Sequence, residues 1–369
     1  MKDSMKTGSK FVHAGLPVPS QGESFAESPV FASTYHLSGD VNSAEYQYAR
    51  FGNPTWTALE AGLSELEGGE TVIFPSGMAA ITAILSALVV SGEKIILPAD
   101  GYYATRAFAE SFLIPNGIKI EFVKTTKVAN HDFTGVKLVL LETPSNPLLD
   151  CIDIAEIAQK IHSCGGVLAI DNTTATIHSQ QPLDLGADIS MCADTKSLNG
   201  HSDVVFGHVS SNESALIEKI RLWRKLSGSI PGPMETWLVH RGLATMDVRM
   251  VRMVQNAQVL AELLDTHPKV KSVRYPGLKH DPSYEIASKQ MAHYGFMLSF
   301  DLGSQQAADL FLEKSQLVFE ATSFGGLHTM AERRARWGTD DVSPGLIRLS
   351  VGCEHIDDLI KDMINALEG

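Results

Sequence analysis

The stretch VLAIDNTTATIHSQQPLDLGADISMCADTKSLNGHSD, residues 167–203, decides how this chain folds. VLAID (Val167–Asp171) and ISMCAD (Ile189–Asp194) are apolar runs that each end in a carboxylate and then give way to small polar residues. Such runs read as buried strands of a parallel sheet, and ligands of these sheets sit beyond the carboxyl ends of the strands. A carboxylate at the end of a buried strand is costly unless it meets a partner. Asp171 is then either the N-cap of the next segment or the partner of a cationic ring nitrogen. Thr195-Lys196 follows the second run. Lys196 is either a solvated surface lysine or a Schiff-base lysine made nucleophilic by desolvation or a neighbouring charge.

Working outward, TVIF (71–74), KIILP (94–98), KIEFV (119–123) and VKLVLLE (136–142) read as further strands. TWTALEAGLSELEG (55–68) carries Leu59, Leu63 and Leu66 at helical spacing, and IAEIAQKIHSCG (154–165) is a helix stopped by glycine. MAAITAILSALVV (78–90) spans about 20 Å as a helix, short of about 30 Å of bilayer hydrocarbon, so a buried helix is expected rather than a membrane span. This alternation predicts an α/β fold: a large, mostly parallel sheet covered on both faces. The pattern changes at SGSIPGPMETW (227–237), where a Gly/Pro break precedes a long helix expected over 233–264. Strands KSVRYP, GFMLSFDL and LIRLSV and helices QAADLFLEKS and HIDDLIKDMINALE then form a smaller α+β unit. Residues 1–45, rich in Gly, Ser, Pro and Thr, read as an extended arm that packs on another subunit. The expected organisation is an arm (1–45), a large domain (46–235) and a small C-terminal domain with its linking helix (236–369).

Composition narrows the function classes. With 44% hydrophobic and 20% charged residues, the 369-residue chain is an ordinary globular protein. Its 30 Lys and Arg against 43 Asp and Glu, a net charge of −13, argue against a nucleic-acid partner, which needs a basic face. Four cysteines without a CxxC pair read as reduced thiols in a cytoplasmic protein. No apolar segment follows MKDSMKTGSK, so no secretory signal is expected.

Two more strand-end features join Asp171 and Lys196. Ser76-Gly77-Met78, between TVIF and the apolar helix, offers free N–H groups and positive potential, a cup for a phosphate or else a plain helix cap. Arg348 in LIRLSV sits among apolar residues and calls for a buried anion, such as a carboxylate held by two parallel hydrogen bonds. Phosphate cup, aspartate, lysine and arginine are the parts that pyridoxal phosphate (PLP) and an amino-acid substrate require.

The motifs YARFGNPT, PSGMAA, ETPSNP, AIDNT, TKSLNGHSDVV, SFGG and IRLSVG, in this order, resemble the PLP-dependent enzymes of cysteine and methionine metabolism: cystathionine γ-lyase, cystathionine γ-synthase, cystathionine β-lyase and methionine γ-lyase. The resemblance runs from FVHAG (11–15) to IRLSVGCE (347–354). It implies PLP fold type I, aspartate aminotransferase-like, with a seven-stranded large sheet. It also implies a homotetramer, a dimer of dimers with active sites shared between subunits. Tyr48 and Arg50 would reach the cofactor phosphate of a neighbouring subunit. Ser76, Gly77, Met78 and Thr195 would bind the phosphate within the chain. Tyr102 would stack on the ring and help in proton transfer. Asn146 would sit by the ring hydroxyl and Asp171 by the ring nitrogen. Lys196 would carry the cofactor aldehyde as an imine, and Ser323 and Arg348 would hold the substrate carboxylate.

The chain departs from the family pattern in places. Ala193 stands where a phosphate-binding serine is usual. His328 replaces a glutamate that bears on substrate choice, and Ala107 replaces an arginine, with Arg106 adjacent; His328 and Arg106 are therefore candidate substrate-binding residues. Ala104 stands where methionine γ-lyases carry a cysteine. AERRARWG (331–338) brings three arginines into a usually apolar stretch, either to attract an anionic substrate end or as a solvated or subunit-contact segment. The implied activity is γ-elimination on a γ-substituted amino acid, giving 2-oxobutanoate, ammonia and a thiol such as cysteine. The alternatives are γ-replacement, or a γ-lyase for canavanine or methionine. A serine hydrolase reading of Gly200-His201-Ser202-Asp203-Val204 fails because Val204 stands where the nucleophile elbow needs glycine. No HExxH supports a metal centre, and intact Asp171, Lys196 and Arg348 argue against a protein that kept the fold and lost its chemistry.

Overall fold

The computed structural model describes residues 5–368. The chain opens with α1 (Thr7–His13), where the arm reading had expected extended structure. The helix forms because Phe11 and Ala14 are buried in a core shared with Leu59 and Met246, and the carbonyl of Ala14 lies 2.9 Å from His240 Nε2. Beyond it, Val18, Phe25 and Phe31 are exposed. α2 (Pro54–Glu67) begins where Asn53 accepts from the Thr55 N–H and ends at Gly68 in the left-handed region.

The large sheet comprises β1 (Glu70–Phe74), β2 (Lys94–Pro98), β3 (Lys119–Val123), β4 (Val136–Glu142), β5 (Val167–Asp171), β6 (Ile189–Cys192) and β7 (Gly207–Ser211), in the order β1-β7-β6-β5-β4-β2-β3. β7 alone runs against its neighbours; the other pairings are parallel. Between strands run α3 (Gly77–Leu88), α4 (Tyr103–Phe108) and α5 (Ile154–Ser163); α6 (Ser214–Ser227) follows β7. Side chains alternate across the sheet as the strand period requires. Ile95, Leu97, Leu138 and Leu140 meet the α3 and α6 face, while Ile96, Val139, Leu141 and Ile170 meet α5. Each such buried aliphatic side chain is worth roughly 1.5–3 kcal/mol.

The helix expected over 233–264 is two helices, α7 (Pro233–Leu243) and α8 (Met246–Asp265). Arg249, buried on α8, donates to the Gly242 carbonyl at 2.8 Å, so the break at Ala244-Thr245 turns a helix-end carbonyl toward a charged donor. α8 leads to a second sheet of β8 (Ser272–Arg274), β9 (Met297–Asp301), β10 (Phe319–Glu320), β11 (Met330–Arg333) and β12 (Leu346–Ser350), ordered β10-β11-β12-β9-β8. α9 (Tyr284–Gln290), α10 (Gln305–Lys314) and α11 (Ile356–Glu368) complete this smaller C-terminal unit. The fold is α/β, as the sequence implied. No helix among the described residues is long and apolar enough to cross a membrane.

Candidate active site

A cavity of about 500 Å³ opens beyond the carboxyl ends of β4, β5 and β6 and is closed on its other side by the second sheet. Ser76, Gly77, Met78, Tyr102, Asn146 and Asp171 line it, as do Thr195, Lys196, Ser323 and Arg348. These residues come from widely separated segments, and the sheet brings them together.

The floor is the start of α3. Ser76 caps this helix, its hydroxyl accepting from the Ala79 N–H at 2.9 Å. The N–H groups of Gly77 and Met78, in the first turn, have no acceptor within their own helix. Gly77 is pressed so close to β6 that an added Cβ would lie 2.5 Å from the Ala193 Cβ. Glycine leaves this end of the cavity bare and Ala193 keeps it so; a larger residue at either place would fill it. The Thr195 hydroxyl is engaged at both ends by Phe206, donating to its carbonyl (3.1 Å) and accepting from its N–H (2.9 Å). Thr174 Oγ1, on the same lining, is buried with no partner among the described residues.

β4 and β5 end in register, with Glu142 beside Asp171. Burial raises Asp171 above the ordinary carboxylate range, while hydrogen bonds from Thr173 and the nearby Lys196 charge pull it back. Burial, and then the Asp171 charge, push Glu142 well up. Of the two, Glu142 is pushed up further, because Asp171 keeps hydrogen bonds from Thr173 and the Lys196 charge beside it. Glu142 Oε2 also accepts from the Tyr102 N–H at 3.0 Å, which sets the start of α4. Tyr102 itself is raised by burial and then by Tyr103 and Asp171, so its phenol stays protonated.

Lys196 Nζ donates to Ser323 Oγ at 2.7 Å and lies 4.8 Å from the Phe324 ring centre. Burial, followed by the Arg348 charge, lowers its pKa to about 8, against the pull of Asp171 and Glu332. Ser323 holds φ at 74°, a region non-glycine residues occupy at a cost of order 1 kcal/mol and which clusters at functional sites. Gly325 follows at φ 83°, and a Cβ there would strike the Ser197 nitrogen at 2.5 Å, so this loop lies directly against the lysine loop.

Arg348, 4% exposed, donates to Asn146 Oδ1 (3.2 Å), the Ser323 carbonyl (2.8 Å) and Glu332 Oε2 (3.0 Å). The antiparallel register of β11 and β12 sets Glu332 opposite it. Burial and the Arg334 charge lower Arg348 only to about 10, so it is charged at neutral pH.

Four sequence candidates lie outside the cavity lining. Arg50 donates to the Lys225 carbonyl at 2.7 Å and Tyr48 sits beside Phe51, both half-exposed on the surface. Arg106 donates to the Gly101 carbonyl and to the Thr339 carbonyl (2.8 Å), tying α4 to the 334–340 segment. His328 is exposed, its ring 5.7 Å from that of Phe319. Of the three arginines of AERRARWG, Arg333 pairs with Asp309, Arg336 with Glu320, and Arg334 with Glu332 and Asp340; Arg334 alone lines the cavity. Lining residues not foreseen include Glu142, Thr173, Thr174, Phe324, Glu332, Trp337 and Thr339. Glu142 ends a buried apolar strand as Asp171 does, so the same argument would have found it. Glu332 carried no such signal, because its role depends on pairing with Arg348.

A lysine and a carboxylate on strand ends, a bare helix start and an arginine offered by a second sheet suit an anionic, ring-nitrogen-bearing cofactor with an amino acid beside it. The residues fit PLP, and the fold and site together define a PLP-dependent enzyme of the aspartate aminotransferase-like type. The chain belongs to the Cys/Met metabolism PLP-dependent enzymes, whose family model matches residues 8–368. A Streptomyces coelicolor protein provisionally named cystathionine gamma-lyase is 46% identical over 370 residues, 98% of this chain and 93% of the relative. The structure of cystathionine gamma-lyase from Lactobacillus plantarum, complexed with L-serine, matches at TM-score 0.93 and 35% identity over 98% of both chains. The cystathionine gamma synthase of Xanthomonas oryzae pv. oryzae matches at TM-score 0.94 and 32% identity, again over 98% of both. The chain is thus a PLP-dependent lyase-family enzyme with a small-molecule substrate.

Proposed function

We propose that this enzyme catalyses γ-elimination on a γ-substituted amino acid of the cystathionine type, releasing 2-oxobutanoate, ammonia and a thiol such as cysteine. The observation that carries the reading is the placement of Lys196, desolvated and 2.7 Å from Ser323 Oγ, in one cavity with Asp171 and Arg348. PLP, when bound, supplies the electron sink that makes the substrate's α and β C–H bonds acidic. Lys196 attaches the cofactor. Once released by substrate, its amine, which burial and Arg348 hold below the ordinary lysine range, would take the α proton. Asp171 keeps a ring nitrogen protonated. Gly77 and Met78 offer N–H groups, and the start of α3 offers positive potential, to the phosphate. Asn146, on the same lining, would bind a ring hydroxyl. Arg348 and Ser323 orient the substrate carboxylate, and the protonated Tyr102 phenol donates to the departing γ group.

Tyr48 and Arg50 lie outside this cavity's lining, which supports their reaching a neighbour's site; exposed Phe25 and Phe31 on the arm support an assembly of subunits, a homotetramer. The organisation into arm, large domain and small domain belongs to the same proposal, as does a cytoplasmic location. The likeness to a cystathionine gamma synthase favours γ-replacement as the second reading, since the same proton transfers precede both outcomes.

The test is a product screen of PLP-loaded enzyme with cystathionine, methionine, homocysteine, canavanine and O-acylhomoserines, with and without cysteine. 2-Oxobutanoate and cysteine from cystathionine are expected. Cystathionine formed from an O-acylhomoserine and cysteine, without 2-oxobutanoate from cystathionine, would replace elimination by replacement.

A further inference from the structure

Away from the cavity lies a cluster of ionisable side chains that takes no part in the chemistry above. His208 on β7 bridges two carboxylates: Nδ1 is 2.7 Å from Asp194 Oδ1, and Nε2 is 2.9 Å from Glu67 Oε1. All three side chains are at 0% exposure. Glu67 closes α2, and Asp194 precedes Thr195-Lys196. Burial opposes charge on the imidazole, but the two carboxylates outweigh it and push His208 up to about 10. The cluster is therefore an imidazolium between two acids. The second carboxylate oxygens, Glu67 Oε2 and Asp194 Oδ2, are buried without a partner among the described residues. Cys192 Sγ lies within 4.8 Å of the Glu67 and His208 ligand atoms, but burial and these same acids hold its thiol well above the ordinary range. The direct His208 contacts to both acids make the triad an ion-pair cluster.

A buried, charged triad gives little net stability over apolar packing of the same volume, so what it positions is the question. The chain leaves β6 after Cys192 and re-enters at β7, and the two sides are stitched: the Thr195 N–H donates to the Phe206 carbonyl at 3.2 Å, and the Phe206 N–H donates to Thr195 Oγ1 at 2.9 Å. The His208–Asp194 contact spans the base of this loop. On the far side of Lys196, Arg249 donates to the carbonyls of Ser197 (2.6 Å) and Leu198 (3.0 Å). Lys196 lies between two buried charged clamps from different elements. Ala193 contributes no hydroxyl of its own, so on the N-terminal side the lysine is anchored by Thr195, through Phe206, and by Asp194, the one charged side chain there.

We infer that Glu67, His208 and Asp194 form a positioning clamp for Lys196, pinning the end of β6 to β7 and α2 so that the amine enters the cavity in attacking geometry. The inference rests on the reading of Lys196 as the cofactor-binding lysine.

The isosteric variants Asp194→Asn and Glu67→Gln, together with His208→Gln, test it. PLP is added to each apoprotein at saturating concentration, and covalent attachment is followed by the visible absorbance and by the mass of borohydride-reduced protein. Attachment should slow by about tenfold or more in Asp194→Asn and His208→Gln, as expected when a reacting group is misplaced by a fraction of an ångström to an ångström. kcat should fall in parallel with KM unchanged, and the Asp194→Asn/His208→Gln pair should be no slower than the slower single variant. If His208→Gln does not fold, Asp194→Asn decides alone. Variants that melt at lower temperature but attach PLP and turn over within about twofold of wild type would show a merely structural cluster and overturn the inference. A wild-type chain that takes no PLP on Lys196 would instead overturn the underlying reading, and this one with it.

Discussion

The two walls of the cavity are built on opposite plans. The large-sheet wall presents few groups: a carboxylate pair at two strand ends, one lysine, and a helix start stripped of side chain by Gly77. Burial shifts its ionisable groups, pushing Glu142 well up and lowering Lys196 to about 8. The wall from the second sheet is a mesh of compensated charge. Glu332, 1% exposed, accepts from Arg348 (3.0 Å), Arg334 (2.7 Å) and Trp337 Nε1 (2.6 Å), while Arg334 also holds Asp340 at 2.6 Å. The first wall suits a cofactor that stays, because desolvation tunes reactivity once and for all. The second suits a substrate that comes and goes. Arg348 is already partnered, so under the proposed function a substrate carboxylate would share the arginine instead of meeting a bare buried cation.

Removing the lysine should break the comparison most severely. Lys196→Ala should lose turnover by about a thousandfold or more with the circular dichroism spectrum unchanged; substantial residual activity would remove the role assigned to that wall. Arg348→Lys keeps the charge but not the planar fork, and should lower kcat/KM by about a hundredfold, mainly through KM. A loss confined to kcat would mean that the second wall works on the chemistry and not on binding.

Glu332→Gln sharpens the contrast, since it leaves the buried Arg348 and the half-buried Arg334 guanidinium groups short of one carboxylate. Denaturant unfolding should show a loss of about 3 kcal/mol, whereas an exposed ion pair such as Arg221–Glu70 should give under about 1. The pH dependence of stability gives a smaller effect. His208 is raised from 6.5 to about 10, so the folded chain keeps a proton that the unfolded chain has lost. Its contribution is complete below pH 6.5 and falls as pH rises, by up to about 1.4 kcal/mol per unit. Lys196, lowered to about 8, opposes this trend only above that pH. Apoprotein unfolding between pH 6.5 and 8 should therefore carry a downward slope that His208→Gln lacks; equal slopes would deny the buried imidazolium. The smallest effect is expected from His328→Glu, which touches neither wall within the chain and should leave substrate preference within about twofold. A clear shift toward cystathionine would mean that a neighbouring subunit folds this position into the site.

What could be read in advance follows a physical line. β2, β3, β4 and β5 match the expected runs residue for residue: β2, β4 and β5 because a strand buried on both faces must be apolar along its length and ends where polarity returns, and the edge strand β3 because Ile120 and Phe122 alternate with Lys119 and Glu121. β7, GHVSS, is equally buried yet nearly devoid of large apolar residues. It is inside because its polar groups find partners there: His208 with Glu67 and Asp194, Ser210 with Thr71 at 2.6 Å, and Ser211 with the Asp188 carbonyl at 2.7 Å. None of those partners is close in sequence, so no local pattern marks the strand. The break between α7 and α8 was hidden for the same reason, since Ala244-Thr245 is no helix breaker and only Arg249 reaching Gly242 shows what the turn accomplishes.

The amino-acid sequence by itself determined the alternation of buried strands and helices and the two strand ends that carry Asp171 and Lys196, because burial on both faces and the turn to polarity are written within a few neighbouring residues. Tertiary structure alone decided that Glu332 faces Arg348, that Arg334 lines the cavity while Arg333 and Arg336 turn away, that His328 lies outside, and that His208 joins two acids far from it in the chain. Those pairings depend on strand register and on the seating of one sheet against the other, which are settled by the packing of both faces at once and by no short run of residues.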